Sequence, residues 1–419
     1  MLVNMLQEGR RPNVLAMVLA GGEGKRLMPL TAHRAKPAVP FGGRYRMIDF
    51  AISNLINSGY RKIVVLTQYK SHSLDVHISR TWSLSSELGN YVTTVPAQMR
   101  RGPQWFTGSL DAIYQNFNLI DDERPENIIV FGADHIYRID ARQMLDAHLM
   151  SGSGATVAGI RVPRAESNQF GVITIGPGSN KILRFDEKPA DAEGLPDSPD
   201  EVLASMGNYI FKTEMLMDLA VDDANTDSSG HDIGGDLIPA LVEKGEASVY
   251  DFTTNTVPGD TPRNQHYWRD VGTLDSYFDA NMDLVQPEPI FNLYNPSWPL
   301  FSYSRNLPPA KFVSDWRTGD PSVVNSIVST GVIVSGSRVS NSVIGVGSHV
   351  HHGADLDNVV LLDDVTVGPD TVLRNCVIDK NVIVPAGVKI GIDSAADARD
   401  FVVSEGGVTV VPKNTIITP

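Results

Sequence analysis

The chain has 419 residues, a formal net charge of −14, 42% hydrophobic and 20% charged residues. That length allows two domains or one large domain with an appendage, and the composition is that of a soluble globular protein rather than a disordered or membrane-spanning one. The acidic balance argues against general nucleic-acid or membrane-surface binding, and the single Cys376 excludes an internal disulfide and fits a reducing cytoplasm. Residues 1–13 read as a loose leader with no apolar signal segment, and no apolar run has the length needed to span a bilayer.

Val14 to Ala20 is an unbroken apolar run that predicts a buried strand, and Gly21, Gly22 and Gly24 follow at once. A loop with three glycines lets backbone N–H groups turn toward an anion without obstruction, although glycines after a strand also make plain turns. Lys25, Arg26, Arg34, Lys36, Arg44 and Arg46 come next, with no acid between Glu23 and Asp49. Such a basic stretch in an acidic chain predicts a local anion site. Two familiar phosphate loops are excluded. Lys25 is followed by Arg26 rather than Ser or Thr, and Leu27 stands where a dinucleotide fingerprint needs its third glycine.

Met47, Ile48, Ala51, Ile52, Leu55 and Ile56 recur at helical spacing, closed by Gly59 as a C′ residue; Lys62–Thr67 predicts the next buried strand. Strand, helix, strand predicts a parallel sheet with ligands at its carboxyl ends. Residues 90–112 mix Pro, Gly, Arg and aromatics as an active-site loop would. Ile128–Phe131 predicts another strand, and Asp134 just past it stands either where a metal–nucleotide complex would lie or as a cap of the next turn. Thr156–Val162, Val172–Ile175 and Asn208–Phe211 predict further strands. Glu187-Lys188 on its own is ordinary as a solvated surface pair. Seven prolines between Gln286 and Pro321 mark an extended linker. Beyond it Ile327, Ile333 and Val339, then Ile344, Val350 and Leu356, then Leu361, Val367 and Leu373 step by six, with one aliphatic per repeat directed inward. This is the hexapeptide period of a β-helix, with residues 327–390 giving about three coils.

LAGGEGKRLMPLT followed by RAKPAVPFGG resembles the signature of the sugar-1-phosphate nucleotidyltransferases, and the second half most resembles the ADP-glucose pyrophosphorylases of bacterial glycogen synthesis. GADH, FDEKP, SGHDIGGD and YWRDVGT extend the resemblance, which reaches about residue 412. It implies an α/β fold: a flexible leader (1–13), a Rossmann-like nucleotidyltransferase domain with a mixed sheet (14–285), a Pro-rich linker (286–321) and a left-handed parallel β-helix (322–419). It implies adenylyl transfer from ATP to glucose 1-phosphate with Mg²⁺, in the cytoplasm, by a homotetramer regulated by small phosphorylated metabolites.

The roles implied by the resemblance are as follows. Gly21, Gly22 and Gly24 would cradle the triphosphate, Arg26 and Lys36 would neutralise it, and Asp134 and Asp270 would hold the metal. Gln98 and Gly108 would read the adenine, with Gln68 near them. Phe106, Gly171, Glu187, Lys188, Ser205, Asp232 and Asp270 would line the sugar-phosphate site. His33, Arg34, Arg44, Arg46 and Lys380 would form an effector site where the basic loop meets the β-helix. Two departures are visible. Phe106 replaces the usual Tyr after Trp105, and His33 replaces the Lys of enteric enzymes, so the resemblance does not carry fructose 1,6-bisphosphate over as effector. Three rivals remain open at this point: a nucleotidyltransferase for another base, a hexapeptide acyltransferase using His349, His351 or His352, and a non-catalytic regulatory subunit, against which the presence of Asp134, Lys188 and Asp270 argues.

Overall fold

The computed structural model describes residues 12–98, 105–314 and 321–417. The Val14–Ala20 strand lies at the centre of the catalytic sheet. Asn127–Gly132 and Lys62–Thr67 flank it in parallel, with Val18 opposite both Phe131 and Val65, and Tyr91–Pro96 forms one edge. Ala16 and Val18 face one core while Leu15 and Met17 face the other, which is why this strand is apolar without alternation. Glu201–Lys212 joins antiparallel to Asn127–Gly132 and carries the sheet on to Ala155–Pro163, Gly171–Ile175 and Ile182–Glu187, so the sheet is mixed. The helix Met47–Asn57 buries Ile48, Ala51, Ile52 and Leu55 and ends at Gly59, whose φ of 88° is open only to a residue without a Cβ clash.

This topology positions the site. The glycine loop, Gln68 and Asp134 each follow one of three adjacent parallel strands at its carboxyl end, where open α/β sheets bind ligands. A separate two-stranded ribbon pairs Trp268–Asp270 with His135–Tyr137 in antiparallel register, placing Asp270 opposite His135. That register brings a carboxylate from late in the chain to the side of Asp134.

Residues 286–310 hold no helix or strand. They are strapped to the Met47–Asn57 helix, where Trp298 Nε1 donates to Asn54 Oδ1 (3.2 Å), Phe301 N to Ser53 Oγ (2.9 Å) and Asn57 Nδ2 to the Pro299 carbonyl (2.9 Å). The C-terminal part is a parallel β-helix of the hexapeptide, left-handed type. One face already begins with Lys311–Val313 pairing to Ile333–Ser335. Each of its three faces stacks five strands among the described residues, more than the three coils expected. Val339, Leu356, Leu373 and Ile390 form one inward ladder, Ile344, Leu361, Ile378 and Val411 a second, and Val334, Val350, Val367 and Val384 a third. Asn341, Asn358 and Asn375 turn one corner in the left-handed region, which Asn tolerates.

The register of the first coil corrects the sequence reading. Ile327 and Ile333 point outward, and Val328 and Val334 beside them point inward. In a strand one residue separates the two faces, and two adjacent aliphatics leave the choice to packing. Ile327 instead joins Val343, Val360, Val377 and Val410 on an outer face that packs against Phe41, Met47, Ile136, Val271 and Tyr277 of the catalytic domain. Cys376 is buried in the β-helix core, and burial pushes its thiol pKa upward, as befits a small packing residue.

Candidate active site

The ammonium of Lys36 lies 2.7 Å from Asp134 Oδ2 and 3.3 Å from Asp270 Oδ1. Three segments distant in sequence meet at this nitrogen. Burial alone would strip its proton, but the attraction of the two carboxylates outweighs burial and raises its pKa. Asp134 is likewise opposed by burial, yet Lys36 and then His135 hold its carboxyl well below the usual range. The Asp134 carboxylate is thus charged at neutral pH. Arg26 approaches Asp270 Oδ2 at 4.0 Å from solvent.

Asp134, His135 and Asp270 each offer a ligand atom, all within 4.8 Å of one another. His135 Nδ1 is buried without a hydrogen-bond partner. Two carboxylates with one orphaned nitrogen suit a divalent cation, and the oxygen-rich set favours a hard one. The fit with a metal-dependent centre is therefore good.

Leu19, Gly21, Gly22, Leu66, Gln68, Phe106, Gly108 and Ser109 line a cleft of about 270 Å³ between the strand ends. Gly24 takes φ 66°, and its carbonyl accepts from Thr31 Oγ1 at 2.9 Å, fixing the loop's exit toward Lys36. Gly108 admits no side chain, since a Cβ there would lie 2.1 Å from the His231 carbonyl oxygen. The Gln68 amide clamps the Phe106 peptide, its Oε1 accepting from Phe106 N at 2.6 Å and its Nε2 donating to Phe106 O at 3.3 Å. Gln68 reaches the cleft as a brace for the loop, and Phe106, expected on the sugar-phosphate side, lines the same cleft beside the glycine loop. Gln98 lies exposed just past the Tyr91–Pro96 strand, and the neighbouring residues 99–104 fall outside the described ones.

On the other side of the sheet switch, Glu187 and Asp232 converge on Gly234, where a Cβ would come within 2.9 Å of Glu187 Oε2 and 3.4 Å of Asp232 Oδ1. Gly171 faces the same carboxylate, 3.0 Å from a Cβ position. Asp232 is already a cap, accepting from Ser109 Oγ and Gly235 N, both at 2.8 Å. Lys188 takes φ 48° and pairs with Glu187 Oε1 at 2.5 Å, with its side chain more than half exposed. Ser205 shares this side with Tyr209, whose phenol is pushed up in pKa first by burial and further by Asp232 and Glu187, against the Ser205 hydrogen bond. It is therefore a neutral hydrogen-bonding group.

Three of the residues expected at an effector site, Arg44, Arg46 and Lys380, line a separate pocket of about 360 Å³ between the Pro40–Arg46 hairpin, the His72–Thr81 helix and the β-helix. Arg44, Arg46, Arg80, Arg305 and Lys380 line it together with Asp363 and Asp364. Arg34 and His33 are not in that lining. Arg34 is buried in an ion pair with Asp379 (2.8 Å), and His33 is exposed elsewhere. Lys380 contacts Asp363, yet burial and then the nearby Arg46 bring its pKa down to about 8. On the β-helix flank His349 and His351 stack at 3.9 Å, away from the catalytic centre.

Sequence reasoning did not find His135, Tyr209, Arg80 or Arg305. The neighbouring Asp in GADH was the only signal for His135. Tyr209 sits inside an apolar strand with nothing to distinguish it. Arg80 and Arg305 become neighbours only through the fold. No described helix is long and apolar enough to cross a membrane.

Residues 15–287 match the family model described as nucleotidyl transferase, and residues 308–411 match that of the GlmU-like C-terminal hexapeptide. The chain is 57% identical over 407 residues to a glucose-1-phosphate adenylyltransferase of Frankia casuarinae, covering 97% of this chain and 99% of that protein. It is 58% identical over 415 residues to the enzyme so named in Acidothermus cellulolyticus (98% and 99% covered), and 56% identical over 408 to that of Corynebacterium glutamicum (97% and 98%). With the glycine loop, the paired carboxylates and the hexapeptide coil all in the matched regions, the chain belongs to the nucleotidyl transferase family, among the glucose-1-phosphate adenylyltransferases.

Proposed function

We propose that this protein transfers the adenylyl group of ATP to glucose 1-phosphate, giving ADP-glucose and pyrophosphate, with Mg²⁺ as cofactor. The observation that carries the reading is the meeting of Lys36, Asp134 and Asp270 beside the carboxyl ends of the adjacent parallel strands that the glycine loop and Asp134 follow, in a chain collinear with adenylyltransferases.

The nucleophile is a phosphate oxygen of the sugar phosphate, mostly dianionic at neutral pH, so the protein needs no general base. One phosphorus–oxygen bond forms at the α-phosphorus as the bond to pyrophosphate breaks, in line. What remains is positioning and charge compensation. The backbone N–H groups of Gly21, Gly22 and Gly24 hold the triphosphate, and Arg26 and Lys36 lie against the departing pyrophosphate. Gly108 and Phe106 shape the base end of the cleft, Gln68 braces it, and Gln98 stands near its outer edge. Asp134 and Asp270 would hold Mg²⁺, which supplies charge neutralisation between the two phosphates when bound. Glu187, Ser205 and Asp232 orient sugar hydroxyls, with Tyr209 offering a neutral donor and Gly171 leaving room. Lys188 leaves Glu187 to meet the sugar phosphate as a point charge.

The pocket of Arg44, Arg46 and Lys380 takes a small phosphorylated metabolite as regulator. A homotetramer, a cytoplasmic location and a division of the chain at 14–285, 286–321 and 322–419 belong to the same reading. Pyrophosphate release with glucose 1-phosphate and each of ATP, UTP, dTTP and GTP tests it. Turnover is expected with ATP above the others. Preference for another nucleotide, or no release at all, overturns it.

A further inference from the structure

We infer that Gly272 is a positioning residue whose missing side chain fixes the carboxylate of Asp270 in its metal-holding orientation. The inference rests on the metal-dependent reading above. Gly272 lies two residues past Asp270, just before Thr273, which caps the Leu274–Leu284 helix by accepting from Ser276 N. Its backbone is outside the left-handed region, so an alanine meets no conformational obstacle there.

The constraint is space. A Cβ on Gly272 would stand 2.6 Å from Asp270 Oδ2, 3.2 Å from Asp270 Cγ and 3.0 Å from Arg26 Nη2. A 2.6 Å carbon–oxygen approach is not sustained in a folded protein, so one partner must move. The Arg26 guanidinium is the end of a long side chain, 58% exposed, and moves aside at little cost. The Asp270 carboxylate has no such freedom. Its side chain is 13% exposed, its other oxygen meets Lys36 Nζ at 3.3 Å, and its own carbonyl accepts from Ser276 Oγ. A methyl group would turn the carboxylate about its Cβ–Cγ bond, swinging Oδ2 from Arg26 and Oδ1 from Lys36. Both the ligand atom and the lysine contact would then be misplaced. Glycine here keeps a short loop close to its own carboxylate without touching substrate.

The test is Gly272→Ala in the full chain, read by Mn²⁺ binding through electron paramagnetic resonance and by kcat. Second contacts to a metal ligand commonly govern about 10- to 100-fold in affinity or activity. We expect Mn²⁺ to bind at least about tenfold more weakly, with a matching fall in kcat and an unchanged melting temperature. Unchanged Mn²⁺ affinity and kcat overturn the inference. Wild-type protein that binds no Mn²⁺ defeats the metal reading itself, and the inference with it. If Gly272→Ala does not fold, the double variant Asp270→Ala/Gly272→Ala decides. With the carboxylate removed the methyl has room, and its melting temperature should match that of Asp270→Ala within about 2 °C. A further fall would place the damage elsewhere and overturn the inference.

Discussion

Two sites in this molecule are built from the same materials, buried lysine, nearby arginine and a pair of aspartates, and they carry opposite charge preferences. At the catalytic centre one ammonium faces Asp134 and Asp270, and the lysine pKa rises. In the pocket against the β-helix Asp363 contacts Lys380 and Arg44, Arg80 and Arg305 complete the lining, while burial and then the adjacent Arg46 bring the lysine pKa down to about 8. A single ion pair does not decide what a site attracts. The balance of neighbouring charges does, acting on top of the burial that lowers the pKa of both lysines. The first site gathers two carboxylates around one buried lysine and would suit a cation. The second has cations to spare and suits an anion.

The largest effect expected from breaking this contrast is at Asp134. Asp134→Asn leaves Lys36 with Asp270 alone and removes one metal-holding carboxylate. Turnover should fall by several kcal/mol of barrier, at least about a thousandfold, in a protein that melts as wild type does. Steady-state kcat with circular dichroism of the same sample checks it, and near-normal turnover would remove Asp134 from the centre.

Lys188 sharpens the contrast on the substrate side. Among the described residues its side chain is held by the adjacent Glu187 alone, so it is available to a phosphate at small cost. Lys188→Ala should raise the KM for glucose 1-phosphate by the loss of one charge-assisted contact, about 1.5–3 kcal/mol, while the KM for ATP moves far less. Equal increases in both would mean that Lys188 does not discriminate between the substrates.

The smallest effect concerns the second pocket. Lys380 is charged below its pKa of about 8 and neutral above it, so anion binding there should weaken as pH rises from 7 to 9. With a panel of phosphosugars and AMP, the half-saturating concentration of the responding effector should rise over that range in wild type. It should be raised already at pH 7 in Lys380→Ala, with little further change. Arg46→Ala should raise it too and, by removing a cation that lowers the Lys380 pKa, should move the pH dependence to higher pH. An effector constant indifferent to both substitutions would place the anion elsewhere.

The order of strands, the glycine loop and the carboxyl ends that bear function were legible because each rests on a local pattern: Val14–Ala20 is apolar throughout, and Asp134 follows its strand by two residues. What was not legible depends on packing between distant segments. Ile327 and Val328 are equally good core residues by type, and the catalytic domain lying against Ile327 and Val343 settles which side is inside. Phe106 was assigned by its place in a motif, whereas the Gln68 clamp, a contact across 38 residues, decides where it stands. Arg34 looked like one more free cation in a basic stretch until Asp379, 345 residues away, closed on it.

That distant pair is one thread of a broader seam. The third apolar core takes residues from Leu27 to Val285 on one side and from Val343 to Val410 on the other, with Tyr277 and Phe41 wholly enclosed. Severing the chain at the Pro-rich strap would expose this surface on both fragments and so destabilise each. Thermal denaturation should accordingly run as one cooperative transition rather than two. Grafting the coil of one relative onto the catalytic domain of another then requires exchanging both sides of the seam, Val343, Val360, Val377 and Val410 together with the residues that receive them.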